Sequence, residues 1–260
     1  MTNVIHVVDR GEGPTLLCLH GIGSSSASFA PQFDELACEL RLLAWDAPGY
    51  ARSADPAEPL DLDGFADAAA DVLQERVPGP AHVLGVSWGG VIATRLATRR
   101  PDLVRSLILA DSSRGSGRTA EQAAAMRARV ADLSAQGPAE FARRRGHRLV
   151  SDQAAAELVE RVTATMAASV RLPGYGYAAA TMADTDLTAV LADVKVPTLV
   201  LCGADDTVTG VAESQALAGG IPDAVFVTIR AAGHLANQEA PASFNAWLSS
   251  YVHIVERLYR

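Results

Sequence analysis

Seven short apolar runs punctuate the chain, at 4–8, 15–19, 40–45, 81–86, 106–110, 197–202 and 224–229. Most are near-continuous and not alternating. That pattern is expected of strands in a parallel sheet whose two faces are both covered by helices. Helical spacing fills several gaps between them. Phe244, Trp247, Leu248, Tyr251, Val252 and Val255 form one apolar stripe near the C-terminus, and Pro241 suits a first-turn position there. Phe65, Val72 and Leu73 make a similar stripe after Asp61. The alternation predicts an α/β fold, a mostly parallel sheet with helices on both faces.

The alternation breaks between residues 113 and 185, where no strand pattern is evident. Thr119 followed by Gln122 reads as a capping box, and Met126, Val130 and Leu133 continue its helical face. Ser151 is expected to cap a second helix carrying Leu158, Val162 and Met166. Leu172-Pro173-Gly174-Tyr175-Gly176 reads as a break. The expected organisation is a core of residues 1–112 and 186–260, with residues 113–185 as a helical cap inserted after the sixth main strand.

The densest local signal is Gly85-Val86-Ser87-Trp88-Gly89-Gly90, between the run at 81–86 and a helical stretch from Val91. A serine on a sharp strand-to-helix turn is held in a strained conformation with its hydroxyl lifted out of the sheet. Gly85 and Gly89 stand where a Cβ would clash. Such a hydroxyl needs a base, the base an orienting acid, and the developing oxyanion two donors. Past the run at 197–202 lie Gly203-Ala204-Asp205-Asp206, and past the run at 224–229 lie Ala232-Gly233-His234. Both carboxylates and the histidine thus leave the carboxyl ends of strands, the edge where open α/β sheets build their sites.

Together with Leu19-His20-Gly21-Ile22-Gly23, Asp46-Ala47-Pro48-Gly49-Tyr50-Ala51-Arg52-Ser53 and Glu239-Ala240-Pro241, these segments resemble an α/β-hydrolase of the serine esterase and lactonase branch. The resemblance covers nearly the whole chain. Within that superfamily the chain most resembles 3-oxoadipate enol-lactonase-like hydrolases, on softer features: the HGIGSS loop, the size of the middle insertion, and the stretch from Pro173 to Leu187.

The resemblance implies Ser87 as nucleophile, His234 as base and Asp206 as acid, in the order serine, acid, histidine. Asp205 and Asp111 are the alternative acids. Of the six histidines, His234 alone follows the last strand behind a glycine, and imidazole titrates near neutral pH. His20 is expected to brace its loop. The oxyanion donors implied are the backbone N–H groups of Trp88 and Ile22. Candidate pocket residues are Phe29, Trp88, Tyr175, Tyr177 and Met182. The segment Arg143-Arg144-Arg145-Gly146-His147-Arg148 offers cations. An enol-lactone bearing a carboxylate would need such a partner, with Arg144 and Arg145 the candidates.

The formal net charge of −8 argues against a nucleic-acid surface and makes any anion recognition local. The segment from Met1 to Asp9 has neither the basic start nor the apolar length of a secretory signal. No apolar run approaches the length of a membrane span. Cys18, Cys38 and Cys202 form no metal-ligand spacing, and a cytoplasmic setting is expected. No metal or organic cofactor is implied. The expected reaction is hydrolysis of a small-molecule carboxylic ester or lactone. Carbon–carbon bond hydrolases of vinylogous diketones and cofactor-free perhydrolases use the same triad, and a ligand receptor can keep the fold with little turnover.

Overall fold

The computed structural model describes residues 4–258. In chain order the elements are β1 (Val7–Arg10), β2 (Thr15–Leu19), α1 (Ala30–Leu36), β3 (Arg41–Trp45), α2 (Leu62–Arg76), β4 (Ala81–Val86), α3 (Trp88–Arg99), β5 (Val104–Ala110), α4 (Ala120–Arg145), α5 (Ala156–Ser169), α6 (Gly174–Asp184), β6 (Thr198–Gly203), α7 (Val211–Gly220), β7 (Val225–Ile229), α8 (Ala236–Glu239) and α9 (Pro241–Leu258). All seven expected strands form within a few residues of their sequence bounds. They make one sheet in the order β1-β3-β2-β4-β5-β6-β7. β1 runs antiparallel to β3 and every other pair is parallel.

The near-continuous apolar runs are explained by the two faces. Leu17, Leu19, Val83, Leu107 and Leu109 point into one layer with Phe65 of α2 and Ile92 of α3. Leu16, Cys18, Leu84, Ile108 and Ala110 point into the other with Phe33 of α1 and Phe244 of α9. Neighbours along a strand face opposite ways, so both must be apolar. Asp61 caps α2 by accepting from Gly64 N at 2.8 Å, as its position before the stripe predicts.

Residues between β5 and β6 form α4, α5, α6 and short 3₁₀ turns, with no strand. In this chain the preceding strand is the fifth, not the sixth. Thr119 caps α4 through Gln122 N at 3.2 Å. Ser151 does not cap α5. That helix starts after Ala155 without a side-chain cap, while the Ser151 hydroxyl and N–H bond Glu239. The break at residues 172–176 is shorter than expected. It holds a cis Leu172–Pro173 bond, and α6 already begins at Gly174. α4 is bent at Gly137, where φ is 72° and ψ 166°, followed by Pro138. Among the described residues, no helix is long and apolar enough to cross a membrane.

Candidate active site

β4 delivers Ser87 to the carboxyl edge of the sheet in a backbone conformation that side chains rarely adopt, φ 54° and ψ −116°. Positive φ at a non-glycine residue costs about 1–3 kcal/mol and persists only where surroundings over-determine it. Here they do. Ser87 N donates to Ala110 O at 2.8 Å, and Ser112 Oγ donates to Ser87 O at 2.8 Å. A Cβ on Gly85 would lie 2.3 Å from Gly89 O, and one on Gly89 only 2.0 Å from Leu19 O. Gly90 is equally constrained, with Ser112 Oγ at 2.2 Å from its would-be Cβ. The turn therefore packs backbone against backbone, and α3 points its N-terminus at the serine.

His234 follows β7 and brings Nε2 to 2.9 Å from Ser87 Oγ. Its Nδ1 lies 3.0 Å from Asp206 Oδ2. Serine, histidine and aspartate thus form one continuous hydrogen-bonded path across residues far apart in the chain. His234 is 4% exposed and Asp206 7%. Asp206 Oδ1 accepts from Val208 N at 2.7 Å and Thr209 N at 3.1 Å, and Oδ2 from Thr209 Oγ1 at 2.6 Å. Burial opposes ionisation of this carboxyl. The His234 hydrogen bond and charge, with the Thr209 and Val208 donors, outweigh burial and hold it well below the usual carboxylate range. Thr209 escaped the sequence reading. An aspartate bonding the backbone two residues on is the one signal that pointed to it.

The alternative acids take other places. Asp205 is exposed, and its N–H donates to Ala232 O at 2.9 Å. Asp111 is fully buried at the end of β5, with φ 47°. Its Oδ1 accepts from Gly203 N at 2.7 Å and its Oδ2 from Ala236 N at 3.0 Å. It ties together the loops that carry Asp206 and His234. Burial pushes its carboxyl up to about 7, against the His234 charge and the two backbone donors. Asp111, Cys202 and Asp206 cluster closely enough to suggest metal ligation. Their atoms are engaged otherwise: the carboxylates as above, and the Cys202 thiol, pushed up to about 12 by burial, donates to Gly203 O. That donor set does not fit a cation.

The loop after β2 lies against the serine. A Cβ on Gly21 would meet Ser87 Cβ at 3.2 Å. Ser24 N donates to Gly21 O at 3.1 Å, closing a turn with Gly23 at φ 87°, where that turn needs positive φ. Among the described residues, neither Ile22 N–H nor Trp88 N–H donates to an acceptor in the chain. His20 braces this loop, with Nδ1 at 2.9 Å from Gly21 O and Nε2 accepting from Ala47 N at 3.0 Å. Glu239 accepts from Gly233 N at 2.9 Å and from Ser151, so one carboxylate joins the histidine loop to the segment before α5. Asp46 is buried and holds Ser26 N and Arg52 at 2.9 Å each.

A cavity of about 660 Å³ opens on Ser87, Ile22 and His234. Of the pocket candidates, Tyr175, Met182 and Arg145 line it. Phe29 does not, being fully buried in the core layer that holds Phe33 and Phe244. Tyr177 is half-buried against the other core layer, outside the wall. The Trp88 side chain is buried against Phe65, ring centroids 4.9 Å apart, and does not line the cavity. Arg144 lies outside the cavity, exposed and paired with Glu140 at 2.8 Å. Arg118, Arg129 and Arg148 line it instead, and Arg118 and Arg129 were not expected.

The model of the alpha/beta hydrolase family matches residues 16–247. The chain is 30% identical to the pimeloyl-[acyl-carrier protein] methyl ester esterase of Chromobacterium violaceum, over 88% of this chain and 91% of that protein. It is 25% identical to 3-oxoadipate enol-lactonase 2 of Acinetobacter baylyi, over 91% and 87% of the two. A thermophilic esterase from Thermogutta terrifontis superposes with a TM-score of 0.88 at 27% identity, covering 97% of this chain and 94% of that one. The architecture, the strand-to-helix turn and these likenesses agree: the chain belongs to the alpha/beta hydrolase family.

Proposed function

We propose that this hydrolase cleaves a carboxylic ester or lactone through a covalent acyl-enzyme on Ser87. The observation that carries the reading is the unbroken path from Ser87 Oγ through His234 to Asp206, opening on a cavity large enough for a small substrate. The sequence likeness to named esterases and an enol-lactonase supports the same class.

His234 Nε2 takes the Ser87 proton as Oγ attacks the carbonyl carbon. The carbonyl oxygen becomes an oxyanion held by the Ile22 and Trp88 N–H groups, aided by the α3 N-terminus. The tetrahedral species collapses, the C–O bond to the alcohol breaks, and His234 returns its proton to the leaving oxygen. Water then attacks the acyl carbon while His234 takes its proton. Collapse releases the acid and restores the Ser87 hydroxyl. Asp206 accepts from Nδ1–H throughout, fixing the tautomer and stabilising the imidazolium. These steps balance without a cofactor. Residues 113–185 act as the cap over the core formed by 1–112 and 186–260, and shape the acyl pocket.

The test is covalent trapping joined to turnover. A fluorophosphonate should add one adduct, mapped by peptide mass spectrometry to Ser87. Hydrolysis of p-nitrophenyl acetate should fall by roughly 10⁴-fold or more in Ser87→Ala, as for other serine nucleophiles. An adduct elsewhere, or full activity in Ser87→Ala, refutes the mechanism. Trapping without turnover on any ester favours a receptor.

A further inference from the structure

The Asp206 side chain is fully buried, and its two carboxylate oxygens have divided tasks. Oδ1 accepts from the main chain, from Val208 N at 2.7 Å and Thr209 N at 3.1 Å. Oδ2 accepts from two side chains, His234 Nδ1–H at 3.0 Å and the Thr209 hydroxyl at 2.6 Å. The hydroxyl therefore shares the one oxygen on which the histidine depends. Its bond is the shorter of the two, in the range of an O–H donating to a charged oxygen.

The turn after β6 sets this up. It brings Thr209 N back to the carboxylate and leaves Oγ1 3.2 Å from Asp111 O and 3.4 Å from His234 Nδ1. A hydroxyl has one proton to give. The charged Oδ2 at 2.6 Å claims it over the neutral carbonyl at 3.2 Å. Each donor to a carboxylate takes up part of its charge, and a less charged oxygen holds an imidazolium less strongly. Other charged and titratable groups surround the ring. Ser87 Oγ faces Nε2, and the Asp111 and Asp206 charges act on the imidazole. Cys202 stands beside those two carboxyls, and Glu239 of α8 bonds Gly233 N next to the ring. Glu213 of α7, with Arg114 and Arg118, and Arg129, Arg145, His147, Arg148 and Asp152 of the helical stretch stand around the same cavity. Among the described residues, Thr209 is the one side chain besides His234 that bonds Oδ2.

We propose that Thr209 is a positioning residue of the triad: its hydroxyl fixes Oδ2 toward His234 and draws charge from that oxygen, so that the imidazolium is held less tightly and the ring gives up its proton more readily. This rests on the serine-hydrolase reading of the site and adds a residue that sets how the triad responds to pH.

The test is the pH profile of kcat/KM for p-nitrophenyl acetate in wild type, Thr209→Val and Thr209→Ser. Valine keeps the shape and removes the hydroxyl, and serine keeps the hydroxyl. In Thr209→Val the acid limb should move up by about one pH unit, the order of one hydrogen bond to a charged group. Thr209→Ser should bring it back to the wild-type position. A merely structural role would lower kcat/KM alike at every pH. An unmoved limb in Thr209→Val, or a limb as high in Thr209→Ser, overturns the proposal and leaves the hydrolase reading intact. Should Thr209→Val fail to fold, Thr209→Cys replaces it. Its thiol is a weaker donor, so its limb should lie above that of Thr209→Ser, and equal limbs overturn the proposal. If no ester is turned over, the hydrolase reading falls. The proposal is then judged by NMR titration of the His234 ring, assigned with His234→Gln. A midpoint about one unit higher in Thr209→Val than in wild type sustains it, and equal midpoints overturn it.

Discussion

The carboxyl edge of the sheet and the helical stretch above it are built on opposite plans. At the edge, backbone meets backbone. Gly85, Gly89 and Gly203 each leave less than 2.5 Å between a would-be Cβ and a neighbouring carbonyl oxygen. Asp206 is held there by main-chain donors, the Ser87 N–H by the Ala110 carbonyl, and Ser87, His234 and Asp206 by one another. The helical stretch has an exposed outer face, a bend with open space around Gly137, and side chains that line much of the cavity. On the function proposed above, the edge supplies the reacting groups and the helices supply part of the cavity wall. Chemistry and selectivity should therefore respond to different substitutions.

The sharpest break between the two regions should come from the acid. Asp206→Asn is expected to lower kcat by roughly 10⁴-fold with the fold intact, since the amide misorients the His234 tautomer. Asp205→Asn, on an exposed carboxyl, should leave kcat near wild type. Steady-state kinetics with a neutral ester, beside circular dichroism, reads both. A large loss in Asp205→Asn would move the acid and undo the assignment of Asp206.

A smaller effect is expected on the wall. Met182→Ala opens the cavity and should change the ranking of acyl chains by about 1–3 kcal/mol in kcat/KM ratios, with hydrolysis of an acetate ester less affected. Tyr177→Ala removes a side chain outside the wall and should keep the ranking. An acyl series from acetate to octanoate measures both, and an unchanged ranking in Met182→Ala would end the division of labour drawn above.

The smallest effect is read in stability. The Asp111 carboxyl is pushed up from its ordinary value to about 7. Between those values the folded state binds a proton that the unfolded state has released. Its contribution is thus full below about pH 4 and is lost as pH rises through about 7. The melting temperature of Asp111→Asn should lack that decline, so its difference from wild type should shift in the variant's favour from pH 5 to pH 8. A constant difference across that range would show that Asp111 does not titrate there.

Much of this was legible from residue order. Strands and covering helices follow from apolar periodicity, because burial on two faces demands it. Ser87 and His234 follow from short motifs whose backbone demands are local. Other features escaped because they depend on distant partners. Ser151 looks like a helix cap, yet Glu239 claims it across the fold. Arg144 and Arg145 are adjacent in sequence, but about 100° of helical rotation sends one to Glu140 and the other into the cavity. Arg129 looks like a solvated helix residue. Gly137-Pro138 was the signal that its helix bends.

By itself, then, the sequence determined the α/β sheet, the strained turn at Ser87 and the order of serine, aspartate and histidine. Each rests on periodicity or on local steric limits that a short segment carries with it. Only the tertiary structure decided that Asp206 and not Asp111 meets His234, that Thr209 and Glu239 brace the site, and which arginines face the cavity. Those choices depend on where strand ends and a bent helix come together in space, and side-chain direction at such a junction is set by packing across the whole molecule.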